Sequence, residues 1–276
     1  MYCDAHCHPC DLLDFMEESE LESMLRGTAA AASSWNREQF EYHENLAKKL
    51  EDSARVILCF ALHPQFPASS EEHGGGAIYD SSVINDAMLL LENLAKDRRV
   101  DAVGETGFDL YDENYRSTVK IQDEIFEHHM EIAVRYGLPV VLHVRRAMHK
   151  IFARTKTLKK LPAVIFHSWQ GTAGEGESLL NRGINAFFSF GASIVNGHNK
   201  ALSSCARLPP DRILFETDAP YIPPRGKTFS SWIDLPLIYK TALDLRSESS
   251  PGDALNVSAD SVAANFARAF GLDYIL

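Results

Sequence analysis

A chain of 276 residues with 45% hydrophobic content is long enough for one α/β barrel and can bury a substantial core. Its formal charge of −11 excludes a broad basic face for gripping nucleic acid, though not a phosphate substrate met by bound cations. No apolar run reaches membrane-span length, the N-terminus lacks a basic-then-hydrophobic leader, and the 5 cysteines suggest no disulfide framework, so a cytoplasmic location is expected.

The first strand candidate, residues 1–7, runs into Asp4-Ala5-His6-Cys7-His8. Alternation along a strand puts His6 and His8 on one face, about 6.5–7 Å apart, as a divalent-metal site requires. Further strands are expected at 28–33, 55–62, 100–105, 138–143, 162–167, 185–190 and 211–217. Helical patterns fill 11–26, 36–52, 80–98, 115–136, 146–159, 174–182 and 196–206. In 115–136, Ile121, Ile125, His128 or His129, Ile132 and Tyr136 recur at helical spacing, and Gly137-Leu138-Pro139 stops the helix. Eight strands alternating with helices specify a single (β/α)8 TIM barrel over 1–276, with extra C-terminal helices at 232–246 and 258–270. The segment 66–82, which contains Gly74-Gly75-Gly76, reads as a surface loop, with a substrate-gating lid as the sharper alternative.

The polar residues gather where these strands end. After His6 and His8 come His63-Pro64 behind the third strand and Gly104-Glu105-Thr106-Gly107 at the fourth. His143, His167 and Glu216-Thr217-Asp218 follow at the fifth, sixth and eighth. In a barrel these C-terminal strand ends share the face that carries chemistry. Imidazoles and carboxylates suit borderline divalent ions, and a central Glu105 could bridge two of them about 3.5–4 Å apart. Blander readings exist: His63 as a turn histidine, Glu105 as an arginine's partner, Asp218 as the cap of the Ala219-Pro220 turn.

The motifs Asp4-Ala5-His6-Cys7-His8, Gly104-Glu105-Thr106-Gly107-Phe108-Asp109, His143-Val144-Arg145-Arg146-Ala147, His167-Ser168-Trp169-Gln170-Gly171 and Glu216-Thr217-Asp218-Ala219-Pro220-Tyr221 resemble the TatD family of metal-dependent deoxyribonucleases. They stand in family order over nearly the whole chain. The resemblance implies two divalent ions (zinc, magnesium or manganese), one held by His6, His8 and Asp218, the other by His143 and His167, with Glu105 shared. It implies that His63 contacts substrate phosphate or water and that Arg145 contacts phosphate. Glu216, sharing parity with Asp218, should orient the ligands. The expected activity is phosphodiester hydrolysis by metal-activated water, of the exonuclease type, on DNA that is single-stranded or at strand ends. Asp218 is the expected proton acceptor. Trp169 is expected to stack an unpaired base, whereas packing is the expected role of Phe108. No membrane or obligate protein partner is expected. Ester, lactone or amide hydrolysis on the same metals is the alternative; related barrels of that kind commonly bridge with a carbamylated lysine, and here the residue is Glu105.

Some positions depart from the family pattern. Gln65 stands where a histidine often follows the His-Pro pair, His129 replaces a usual glutamine, and Arg146 takes an often acidic place. Ser168-Trp169-Gln170 and Phe229-Ser230-Ser231 also differ, so substrate choice is what these changes touch. Cys3, Cys7 and Cys10 reproduce the C-x3-C-x2-C spacing of iron–sulfur barrels. Cys3 and Cys7 are odd positions, expected to point away from the face of His6 and His8, which favours buried or loop thiols. Cys59 and Cys205 have no evident partner.

Overall fold

The computed structural model describes residues 1–68, 81–249 and 257–273. Its strands are β1 (Tyr2–Cys7), β2 (Thr28–Ser34), β3 (Arg55–Phe60), β4 (Ala102–Asp109), β5 (Val140–Arg145), β6 (Val164–Phe166), β7 (Ala186–Phe190) and β8 (Ile213–Phe215). They pair in chain order, every pair parallel. The helices between them are α1 (Glu18–Leu25), α2 (Arg37–Lys49), α3 (Ser81–Lys96), α4 (Glu113–Ser117), α5 (Val119–Tyr136), α6 (Met148–Ala153), α7 (Thr155–Leu158), α8 (Ala173–Asn181), α9 (Ala192–Val195) and α10 (Asn199–Arg207). The C-terminal additions are α11 (Leu235–Ser249) and α12 (Ala259–Phe270).

Local chemistry sets these boundaries. The Asn36 side chain accepts the Gln39 amide at 2.8 Å to start α2, and Thr172 with Glu175 forms a reciprocal cap for α8. Gly137, at φ +66°, ends α5 in the left-handed conformation. The expected strand at 100–105 continues to Asp109, because Thr106 to Asp109 keep pairing with Leu142 to Arg145. The expected helices at 115–136 and 146–159 each divide in two, at Thr118 and Arg154. The lid reading of 66–82 falls largely on residues 69–80, outside the described residues.

The sheet returns on itself. The Asp218 amide donates to the His6 carbonyl at 3.0 Å and the His8 amide to the Ala219 carbonyl at 2.7 Å, joining the end of β8 to β1. The barrel interior is filled by small and branched side chains, among them Ala5, Ala31, Ile57, Val141, Ile165 and Leu214. Phe266 and Phe270 of α12 belong to the same cluster and plug one end of it. A second apolar layer lies between the strands and the surrounding helices.

Two irregularities decide what enters the barrel. In β1, Asp4 faces Ala30 and Cys7 faces Ala32, so Ala5 and His6 together oppose one residue. In β4, Val103 faces Val140 and Thr106 faces Leu142, so Gly104 and Glu105 do the same. An inserted residue of this kind is a β-bulge, and it reverses the alternation beyond it. The β1 bulge corrects the parity expected for Cys3: it lies in the barrel interior with Ala5, while Cys7 packs outward. Cys3 and Cys7 are buried free thiols, Cys10 is partly exposed, and the metal-competent clusters among the described residues contain no cysteine.

Candidate metal centre

Six residues expected to meet do converge at the C-terminal mouth of the barrel. Glu105 is at their centre, 5% exposed, and its two oxygens divide the histidines between them. Oε2 lies 3.0 Å from His6 Nε2 and 3.7 Å from His8 Nε2. Oε1 lies 2.7 Å from both His143 Nδ1 and His167 Nε2. Asp218 completes the first set, its Oδ1 3.6 Å from the Nε2 atoms of His6 and His8.

The donor set fits divalent cations. His6 and His8 bring their Nε2 atoms within 3.1 Å of each other, and His143 Nδ1 approaches His167 Nε2 at 3.2 Å. Imidazole nitrogens this close can be joined by a shared proton or by a common cation. Grouping ligand atoms that lie within 4.8 Å of one another yields His6-His8-Asp218, His6-Glu105-His167 and His63-Glu105-His143. The electrostatics agree. Burial works against ionised Glu105, yet the imidazoles of His167, His63 and His6 hold its carboxyl well below the usual range. Burial also opposes charge on His8 and His143, and is outweighed by Asp218 at the first and by Asp109 and Glu105 at the second, so both rise. Burial pulls His6 and His63 down, toward the neutral form that ligates.

Supporting residues set ring orientation. Ser33 Oγ lies 3.2 Å from His6 Nδ1 and holds the ring with Nε2 toward the centre. His143 Nε2 donates to Asp109 Oδ2 at 3.2 Å, and Asp109 is itself held by Gln65 Nε2 at 2.7 Å and the Tyr111 amide at 2.9 Å. Glu216 Oε1 accepts the Ser168 amide at 2.6 Å and lies 3.6 Å from His167 Nδ1, next to the ligand it was expected to orient. His63 differs from the other histidines. The Gln65 amide donates to its Nδ1 at 3.2 Å, so Nε2 carries the proton and meets Glu105 Oε1 at 3.2 Å. Arg145 stands at the rim, 3.9 Å from Asp109.

Asp109 and Ser33 escaped the sequence reading. Asp109 could have been found, because it shares parity with Glu105 four positions earlier along one strand. Ser33 lies on a different strand and carries no local signal. One expectation is corrected. Trp169 is 2% exposed and packs edge-on against Phe166 and Phe188, at 5.3 Å and 4.7 Å between ring centres, so it cannot stack a substrate base. Gly171 lies against the same indole, where a Cβ would come within 2.2 Å of it. Phe108 is buried against Phe126, a packing role. Aromatic side chains exposed beyond the strand ends include Trp35, Tyr111 and Tyr221, between 41% and 50% exposed, on the loops after β2, β4 and β8.

Comparison with known proteins places this geometry. A 3'-5' ssDNA/RNA exonuclease TatD of Dickeya dadantii is 34% identical over 181 residues, which are 64% of this chain and 66% of the relative. An uncharacterized metal-dependent hydrolase of Mycoplasma pneumoniae is 29% identical over 239 residues, 82% of this chain and 85% of the relative. The fold of a TatD homolog from Escherichia coli superposes with a TM-score of 0.76 at 23% identity, covering 98% of each chain. That of a TatD family hydrolase from Entamoeba histolytica gives 0.67 at 15%, covering 97% of each. The TatD related DNase family matches residues 3–271. With the barrel, the carboxylate-centred histidines and that match in hand, the chain belongs to the TatD related DNase family of metal-dependent nucleases.

Proposed function

We propose that this chain hydrolyses phosphodiester bonds at the ends of single-stranded DNA, as one catalytic unit holding two divalent ions of the zinc, magnesium or manganese type. The observation that carries this reading is the division of Glu105, with one oxygen toward His6 and His8 and the other toward His143 and His167. A carboxylate so placed suits a bridge between two cations. His6, His8 and Asp218 would hold one ion, and His143 and His167 the other. When bound, such ions supply Lewis acidity that acidifies water and polarises a phosphoryl oxygen.

The chain's own residues do the rest. The Asp218 carboxylate, beside the first pair of histidines, takes the proton of the attacking water. His63, held with its proton on Nε2 by the Gln65 amide, donates to a phosphoryl oxygen. Arg145 neutralises charge that develops at the rim, its fork matched to phosphate. Exposed Trp35 and Tyr221 offer π-faces to unpaired bases, and Tyr221 reaches the centre itself, its ring 5.2 Å from that of His8.

The test is a time course on end-labelled single-stranded and duplex DNA with metal-loaded protein, products resolved by length, beside lactone and dipeptide panels. Stepwise shortening of the single strand is expected. Turnover of a lactone or dipeptide with none of DNA would instead establish the alternative chemistry. Asp218→Asn should keep its fold and lose at least about 10³-fold in rate.

A further inference from the structure

Where β5 ends, two adjacent arginines converge on one tyrosine. The guanidinium carbon of Arg145 lies 3.7 Å from the centre of the Tyr111 ring, and that of Arg146 lies 4.5 Å from it. Tyr111 is held from both sides, its amide donating to Asp109 Oδ1 at 2.9 Å and its carbonyl accepting from Arg146 Nη1 at 2.9 Å. Arg146 adopts φ +56°, a left-handed conformation that costs a non-glycine residue energy and that concentrates at binding sites. Its side chain is exposed at the barrel mouth, directly after the strand that carries His143.

The charge balance there is unusual for a chain of net charge −11. Arg145 lies 3.9 Å from Asp109, which is already bonded to His143 and Gln65, and a third guanidinium, Arg116, donates to the Tyr111 carbonyl at 3.3 Å with Glu113 as its own partner. Arg146 forms no ion pair among the described residues and spends one donor on the Tyr111 carbonyl. Two like charges around one ring repel each other, and an anion seated between them relieves that repulsion. Stacking on an aromatic face holds a guanidinium flat and leaves its N–H edge outward, in the geometry that grips phosphate with two hydrogen bonds.

We infer that Arg146, ordered on Tyr111 beside Arg145, binds the phosphate next to the scissile one, so that the centre selects strands with at least two linkages over a single diester. The inference rests on the nuclease reading and deepens it. Arg145 reaches the candidate metal centre through Asp109 and His143, whereas Arg146 stacks on the same ring with no such link, which leaves it for a neighbouring phosphate.

Two measurements test it. Binding of labelled oligothymidine to metal-loaded Asp218→Asn protein is followed by anisotropy at several salt concentrations, with and without Arg146→Asn. Asparagine tolerates the left-handed backbone, so the substitution removes the guanidinium and keeps the turn. Affinity should fall about tenfold and the salt slope should drop by about 0.7, the loss of one phosphate contact on a single strand. Equal affinity and slope would overturn the inference, hydrolysis or no hydrolysis. In the second measurement the linkage beside the scissile one is made a neutral methylphosphonate. That change should cost unsubstituted protein about tenfold in kcat/KM and Arg146→Asn almost nothing further; equal losses in both would overturn the assignment of that phosphate to Arg146. If oligothymidine binding depends on Arg146 but no DNA is cut, the nuclease reading fails and the phosphate seat stands.

Discussion

The Asp4 carboxylate accepts a 2.6 Å hydrogen bond from the Thr217 hydroxyl, across 213 residues of chain. Its other oxygen accepts the Thr217 amide at 2.9 Å and the His6 amide at 3.2 Å. One buried side chain thus joins the start of β1 to the residue before Asp218, and closes the barrel where the candidate metal ligands stand. Burial pushes its pKa up to about 7, against the pull of these three donors. Asp4→Asn can keep all three contacts, with the amide nitrogen donating to Thr217 Oγ1. Asp4→Ala leaves the donors unpaired and should cost about 3 kcal/mol or more. Denaturant midpoints should therefore separate the two variants; equal loss in both would show that the charge, not the hydrogen bonds, matters.

His129 makes a similar tie on the other side of the mouth. Its Nε2 accepts the Leu62 amide at 3.3 Å, and its Nδ1 donates to Thr106 Oγ1 at 2.7 Å. It thereby spans the residues next to His63 and Glu105. A glutamine can offer an acceptor and a donor at the same place, and a leucine offers neither. His129→Gln should keep metal affinity within about threefold, while His129→Leu, which strands two buried groups, should lose about 2–3 kcal/mol of stability. Calorimetric metal titration with unfolding curves reads both, and a leucine variant as stable as the glutamine one would refute the tie.

Acid should expose the same residue. Burial pushes the pKa of His129, and of His43, from 6.5 down to about 3. A base whose folded pKa is depressed lends stability that is complete above pH 6.5 and is lost as pH falls toward 3, at about 1.4 kcal/mol per pH unit per histidine. Asp4 acts in the opposite sense: its raised pKa makes the folded chain gain stability as pH falls from about 7 toward 3.8. The difference between unsubstituted protein and His129→Gln isolates the histidine. Stability measured between pH 6.5 and 4.5 should decline less steeply in the glutamine variant; parallel curves would mean that His129 titrates normally.

Metal should couple to folding. A cation that binds the assembled ligands but not the unfolded chain stabilises it by about 2.7 kcal/mol at a hundredfold excess over Kd. Chelation should lower Tm, and readdition of zinc or manganese should restore it. Glu105→Gln should reduce metal per chain by elemental analysis, and unchanged stoichiometry would remove Glu105 from the bridging role.

Gly107 admits no side chain. At φ +141°, a Cβ there would lie 2.0 Å from the His143 carbonyl oxygen. Gly107→Ala must separate β4 from β5 beside a ligand, and should cost about 3 kcal/mol along with loss of bound metal. Native-like stability in that variant would mean the two strands can part there without harm.

Much of this molecule was legible in the linear chain. Eight apolar runs alternating with amphipathic stretches specify the barrel, and the polar residues at the run ends name His6, His8, Glu105, His143, His167 and Asp218, because strand ends on one side of a barrel share a face. Trp169 shows the limit: its place just past a ligand strand suggested an exposed ring, but the chain turns there and packs the indole onto Phe188.

Composition and periodicity therefore determined which side chains are candidates for the chemistry and which end of the fold holds them. The tertiary structure decided how they aim. Strict alternation would send Glu105 outward from Ala102 and His6 outward from Ala5, and one inserted residue in each strand turns both into the barrel. A bulge is a mismatch between two paired strands, so no pattern within either strand records it.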